Sequence, residues 1–243
     1  MTVRENEVLL RAHGLTKVYH AGKIDAQALR GVDLEVRSGE FLAIVGPSGS
    51  GKTTLLNLVG ALDTATSGQL EVLGKEISKM SRRERADLRL HALGFVFQAY
   101  NLVPVLTAQE NVEFVLELQG VGLERRARAG DVLNRLGLEE FATRRPNELS
   151  GGQQQRVAVA RAVASKPKLV LADEPTANLD GENAESLLAM MRALNEHDGI
   201  TFVFSTHDPR VIAHARRVVT LVDGRVARDE QKECCTVNGA AKA

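Results

Sequence analysis

Tryptophan is absent from this 243-residue chain and aromatic residues make up only 4% of it, so any core must be filled chiefly by aliphatic side chains. Cysteine is nearly absent too. The two that occur, Cys234 and Cys235, are adjacent and close to the C-terminus, which excludes a structural zinc site and a core disulfide and fits a reducing compartment. Neither sign of charge is in excess. Lysine plus arginine and aspartate plus glutamate number 31 each, so there is no global basic field of the kind that draws a chain onto nucleic acid. No run approaches the ~18 to 20 apolar residues that cross a bilayer, and residues 1–7 lack the apolar core of a secretion signal. A soluble chain retained in the compartment of its synthesis is the expectation. With 44% hydrophobic and 26% charged residues, the chain can bury one substantial core, and a single large α/β domain is favoured.

Short β-type runs recur at residues 8–11, 34–36, 41–45, 70–73, 94–97, 169–172, 201–205 and 218–222. The early ones follow one another through short turns at 37–40 and 67–68, as in an antiparallel sheet. Those at 41–45, 169–172 and 201–205 are nearly all apolar and alternate with helical stretches, as in a buried parallel sheet. Helical periodicity marks 52–62, 82–89, 108–119, 124–136, 151–164 and 182–196. Over 108–119, Val112, Val115, Leu116 and Leu118 are expected to form an apolar face, with Glu110, Glu113 and Glu117 toward water. The interval 98–165 reads almost wholly helical, which implies a helical subdomain inserted into a parallel-sheet core. The expected division is 1–97 with 165–229 as the core with its antiparallel region, 98–164 as the helical subdomain, and 230–243 as a mobile tail. The arginine-rich stretch 82–89 contains Glu84 and Asp87 and reads as a solvated face.

Residues Gly46, Pro47, Ser48, Gly49, Ser50, Gly51, Lys52, Thr53 and Thr54 match G-x-x-x-x-G-K-[ST] directly after an apolar strand, the context that pattern requires. Glycines let backbone N–H groups curl around a triphosphate, and the following helix turns its positive end to the same anion. Lys52 is expected to reach the β- and γ-phosphates and Thr53 to ligate Mg²⁺. The strand at 169–172 runs into Asp173 and Glu174. There one carboxylate can serve the metal and the next can act as general base on the attacking water. Gln98 and His207 follow other strands, and in a parallel sheet such strand ends gather at one edge, beside the γ-phosphate. Ser150 is a good helix N-cap, and Gly151 and Gly152 leave the first N–H groups of the next helix unshielded, a second anion-binding helix start. One triphosphate already has its loop, so this second surface suits a nucleotide held by another chain.

As a set these residues resemble the ATP-binding cassette (ABC) ATPases over about 8–228. The motifs stand in family order: the phosphate loop, Gln98, the signature Leu149-Ser150-Gly151-Gly152-Gln153, the acidic strand end, Asn178-Leu179-Asp180 and His207. Tyr19 matches the aromatic residue on which the family stacks adenine. The resemblance implies a P-loop NTPase (RecA-like) parallel-sheet core, with ATP and Mg²⁺ as cofactors and Thr53, Gln98 and Asp173 around the metal. It also implies catalytic roles for Glu174, His207 and Gln98, and nucleotide contacts from Ser150, Gly151, Gly152, Gln153 and Asp180 across a head-to-tail homodimer. Residues 93–98, 101–104, 106–112 and 149–156 look like the branch of lipoprotein-releasing and macrolide-exporting ATPases, LolD and MacB, although Gln109 stands where leucine is commoner.

That branch implies transmembrane permease subunits on separate chains. It also implies a cytoplasmic, peripheral position on the inner (plasma) membrane and ATP hydrolysis coupled to export or mechanotransmission. Two alternatives stay open. One is a regulatory ATPase that switches a membrane-anchored cell-envelope partner; the other is a soluble relative in DNA repair or translation, whose usual coiled coils, zinc modules or second cassette are not visible. An uptake role ranks below export, and the chain does not encode the cargo.

Overall fold

Strand β3 (Phe41–Val45) shows how the sequence builds the core: successive side chains point to opposite faces, and both faces are buried. A computed structural model describes residues 7–21 and 24–232. In it β1 (Val8–Ala21) and β2 (Ile24–Arg37) form a long antiparallel pair, and β4 (Ser67–Val72) and β5 (Lys75–Glu76) complete a four-stranded sheet in the order β2-β1-β4-β5. The second sheet has six strands. Besides β3 it contains β6 (Leu93–Phe97), β7 (Leu169–Asp173), β8 (Thr201–Thr206), β9 (Arg217–Val222) and β10 (Arg225–Gln231), in the order β10-β9-β3-β8-β7-β6. All its pairings are parallel except that of β10 with β9.

The helices are α1 (Lys52–Val59), α2 (Arg82–Ala92), α3 (Ala108–Leu118), α4 (Arg125–Arg135), α5 (Gly151–Ala164), α6 (Gly181–Asp198) and α7 (Pro209–His214). Between β6 and β7 the described chain is helical or irregular, with α3, α4 and α5 packed on one another. Alternation along the strands sorts the core. Phe41, Val170, Ala172, Phe202 and Phe204 face α5, α6 and the inserted helices. Leu42, Ile44, Leu169, Leu171 and Val203 face α1 and the antiparallel sheet. Phe41 lies 5.6 and 4.6 Å, centroid to centroid, from Phe202 and Phe204, so three of the few aromatics are spent at the centre.

Several expectations need correction. The turn at 37–40 does not join neighbours in one sheet: it leads from β2 into β3, which belongs to the other sheet, because the apolar run 41–45 can be buried on both faces only there. Residues 67–68 open β4 rather than connect strands. Glu230 and Gln231, placed in the tail, pair with Val218 and Arg217. The rest of that tail, with Cys234 and Cys235, lies outside the described residues except for Lys232. The helix expected over 52–62 ends at Val59, and β5, β10 and α7 were not foreseen. On α3, Val112 and Leu116 are buried, but Leu118 is 56% exposed and Phe114 44%.

Candidate functional site

Sheet register brings the chemistry to one edge. Phe97 pairs with Asp173, Asp173 with Ser205 and Ser205 with Ile44, so the loops that follow β6, β7, β8 and β3 emerge side by side. Between β3 and α1 the loop of residues 46–51 curls tightly. A Cβ at Gly46, where φ is 153°, would stand 2.0 Å from the Leu221 carbonyl oxygen, and one at Gly51, where φ is 102°, would stand 2.5 Å from that of Ala28. Only glycine fits either position. Lys52 Nζ donates to the carbonyls of Gly46 (2.8 Å) and Pro47 (3.1 Å), which keeps its ammonium over the loop from which α1 rises. A cavity of about 510 Å³ opens here, lined by Gly46 to Gly49, Gly51 to Thr54, Gln98, Glu174 and His207. The loop, Gln98, Glu174 and His207 are therefore assembled in one place, as the sequence suggests, and Ala28 and Ala177 join them.

Glu174 sits at φ 47°, a left-handed turn that takes its side chain out of the strand alternation. Its Oε1 lies 2.7 Å from His207 Nδ1, and its Oε2 accepts a bond of 3.2 Å from the Thr206 hydroxyl. The carboxylate is thus fixed by the last residue of β8 and the residue that follows it and is 17% exposed, while His207 remains largely open. Thr53 Oγ1 donates to Asp173 Oδ1 over 3.3 Å. Both are hard oxygen donors; Thr53 and Gln98 line the cavity, and Asp173, outside that lining, is joined to it through Thr53. The described residues contain no group of three or more His, Cys, Asp or Glu fit to hold a metal by themselves. A donor set of one hydroxyl, one carboxylate and one amide, with the remaining positions left to phosphate and water, suits Mg²⁺.

Behind this edge Asp208 accepts from Thr176 Oγ1 (2.6 Å) and from the backbone and guanidinium of Arg210. Burial pushes its carboxyl up, but Arg210 and Thr176 outweigh that and hold it down at about 2. The bond to Thr176 ties the loop of His207 to the segment that follows Glu174. Sequence reasoning missed this, since nothing local marks Thr176.

Ser150 caps α5 in a reciprocal box. Gln153 N donates to Ser150 Oγ (3.3 Å), and Ser150 N donates to Gln153 Oε1 (2.9 Å). Asp180 caps α6 by accepting from Asn183 N (2.8 Å). The two helix starts touch: a Cβ on Gly152 would come within 2.7 Å of Asn183 Oδ1. Neither Ser150 to Gln153 nor Asp180 lines the phosphate-loop cavity of its own chain. Tyr19, 39% exposed on β1, is also outside that lining and donates to Asp63.

A second, apolar groove of about 610 Å³ lies between α2, β6 and α3, with Phe95, Phe97, Val103, Phe114, Val115 and Leu118 among its walls. This explains the exposed residues on α3. Arg161 of α5 reaches the same groove and donates to the backbone carbonyls of Asn101 and, over 2.9 Å, of Tyr100. Both of those residues are in the left-handed conformation. The groove is a product of tertiary contact that no single stretch of sequence announces.

Comparison with known proteins agrees with this geometry. Residues 29–177 match the family model described as ABC transporter. The chain is 46% identical over 219 residues to "Macrolide export ATP-binding/permease protein MacB" of Syntrophobacter fumaroxidans, covering 89% of this chain but only 31% of that protein. It is 46% identical over 220 residues to "Lipoprotein-releasing system ATP-binding protein LolD 1" of Caulobacter vibrioides, covering 90% of this chain and 94% of the relative. Among solved structures it superposes with a TM-score of 0.86, at 43% identity, on "Dimeric structure of a post-hydrolysis state of the ATP-binding cassette MJ0796 bound to ADP and Pi", covering 92% of this chain and 99% of that one.

Proposed function

The chain belongs to the ABC transporter family of ATP-binding proteins, and from that membership we propose that it is the ATP-hydrolysing subunit of a LolD/MacB-type complex, driving membrane permease subunits on separate chains. The observation that carries the reading is the division of the site. One chain presents a phosphate-loop cavity with a fixed Glu174 and, apart from it, a capped helix start at Ser150 that lies outside that cavity's lining. Two copies arranged head to tail bring each Ser150 helix against the other's nucleotide, and the relative solved as a dimer with ADP and Pi supports that arrangement.

The backbone N–H groups of residues 46–54 and Lys52 bind and orient the triphosphate. Thr53, Asp173 and Gln98 would hold Mg²⁺, which when bound neutralises charge on the β- and γ-phosphates. Glu174 takes a proton from the water as its oxygen bonds to the γ-phosphorus and the bond to ADP breaks. His207 keeps the carboxylate aimed, and Thr206 fixes its second oxygen. Ser150 and the N–H groups of Gly151 and Gly152 add positive dipole ends from the partner chain, so the site is complete only while the dimer is closed.

The apolar groove beside Gln98 is the docking surface for a permease helix. It couples closure to the membrane because its wall, β6, ends at Phe97, the residue before Gln98. No helix among the described residues is long and apolar enough to cross a membrane. In this reading the permease holds the chain at the cytoplasmic face of the inner membrane. Export or mechanotransmission is the favoured direction, on the strength of the relatives' names.

Affinity capture tests the partner. The Glu174→Gln chain with ATP and Mg²⁺, applied to gently solubilised native membranes, should retain a polytopic protein with a large extracytoplasmic domain. Adding Leu118→Glu, which puts a charge in the groove, should lose it without lowering the unfolding midpoint. Retention of soluble nucleic-acid or ribosome components alone would overturn the membrane assignment.

A further inference from the structure

Around Tyr19 a polar cluster stands apart from the phosphate loop. Lys17 and Tyr19 are two apart on β1 and so share a face. Lys17 is almost wholly buried, which is rare for lysine, and its ammonium is fully engaged. It donates to Asp63 Oδ1 and to the Thr64 carbonyl, each at 2.8 Å, and stands 4.8 Å over the centroid of the Tyr19 ring. Asp63 Oδ2 accepts from the Tyr19 hydroxyl at 3.1 Å, and Asp63 Oδ1 also takes the Thr64 N–H at 2.7 Å. Burial pushes the Asp63 carboxyl up, but Lys17, Thr64 and Tyr19 outweigh it and hold it below the ordinary range. One carboxylate thus ties down both the ammonium on the ring face and the phenol at the ring edge. Asp63 comes from the turn that ends α1, where its N–H bonds the Asn57 carbonyl, so the helix that starts at the phosphate loop also anchors the aromatic ring.

We propose that Lys17 and Asp63 are positioning residues for nucleotide base binding: they hold the Tyr19 ring as a fixed plate with one face covered by a cation and the other offered to adenine. This rests on the assignment of Tyr19 as the base-stacking residue. Fixing the ring beforehand removes the ordering cost of stacking, and the ammonium attracts the π-electrons of the ring from behind. Both effects act on the base and neither acts on the phosphates.

That separation defines the test. Equilibrium affinities for ATP and for inorganic tripolyphosphate, each with Mg²⁺, are compared in the unaltered chain, Lys17→Met, Asp63→Asn and Tyr19→Ala. Asp63→Asn keeps the side-chain shape and carries the test if Lys17→Met does not fold. Loss of a cation–π contact of ordinary strength predicts that Lys17→Met and Asp63→Asn bind ATP about three- to tenfold more weakly. Tripolyphosphate affinity should be unchanged, a split that general loosening of the fold would not produce. Equal weakening of both ligands, or no weakening of ATP while Tyr19→Ala weakens it, overturns the inference and leaves the stacking role of Tyr19 intact. If Tyr19→Ala also binds ATP normally, the stacking assignment falls with it.

Discussion

Asp208 and Glu174 are both carboxylates near the strand edge, and their surroundings give them different work. Glu174 faces the cavity with His207 and Thr206, while Asp208 is turned away and locked by Thr176 and Arg210. The Asp208 pKa is lowered from 3.8 to about 2, so the stability it contributes is fully present above about pH 4 and is lost as pH falls toward 2. Asp208→Asn should therefore lower the unfolding midpoint at pH 7, and the gap from the unaltered chain should narrow between pH 5 and 2. A gap independent of pH in thermal melts would contradict this. Residues such as Gly46, Lys52 and Thr53 are legible in the sequence because their chemistry is local to one loop. Lys17 and Asp63 are not, because the ion pair joins positions 46 residues apart.

Helix α5 connects three contacts along one rod. Its first turn offers Ser150, its second glycine lies against Asn183 at the start of α6, and Arg161 near its far end holds the carbonyls of Tyr100 and Asn101, just past Gln98. Burial lowers the Arg161 guanidinium from its ordinary value, but arginine keeps its charge. Arg161→Met should leave two carbonyls short of a donor, at a cost of about 1 to 3 kcal/mol. It should reduce steady-state kcat more than ATP affinity, because the loop of Gln98 loses its hold on the signature helix. Equal losses in both would reduce Arg161 to a packing role. The helix itself was legible to the residue, since its cap, glycines and apolar spacing agree. Edge strand β10 was not, because its charged, mostly exposed sequence shows no apolar alternation, and six-residue α7 is too short to show a period.

In the whole molecule, Arg217 joins the two sheets. It lies on β9, bonds Glu40 at 2.9 Å and Asp229 at 2.6 Å, and donates to the Glu35 carbonyl of β2. The antiparallel sheet, which carries Tyr19, is thereby fixed to the parallel sheet, which carries the phosphate-loop cavity at its edge. The alternation of apolar runs made the parallel core readable from sequence. The assignment of β3 to a different sheet from β2 and the apolar groove depend on contacts far apart in the chain and were not. On the proposed function one chain holds half of each site, and ATP closes two chains on each other. The most direct measurement is the molar mass in solution of Glu174→Gln with ATP and Mg²⁺, compared with the same chain carrying Ser150→Arg. The mass should double for the first, and the second should remain a monomer that still binds ATP; dimerisation of both alike would refute the shared site.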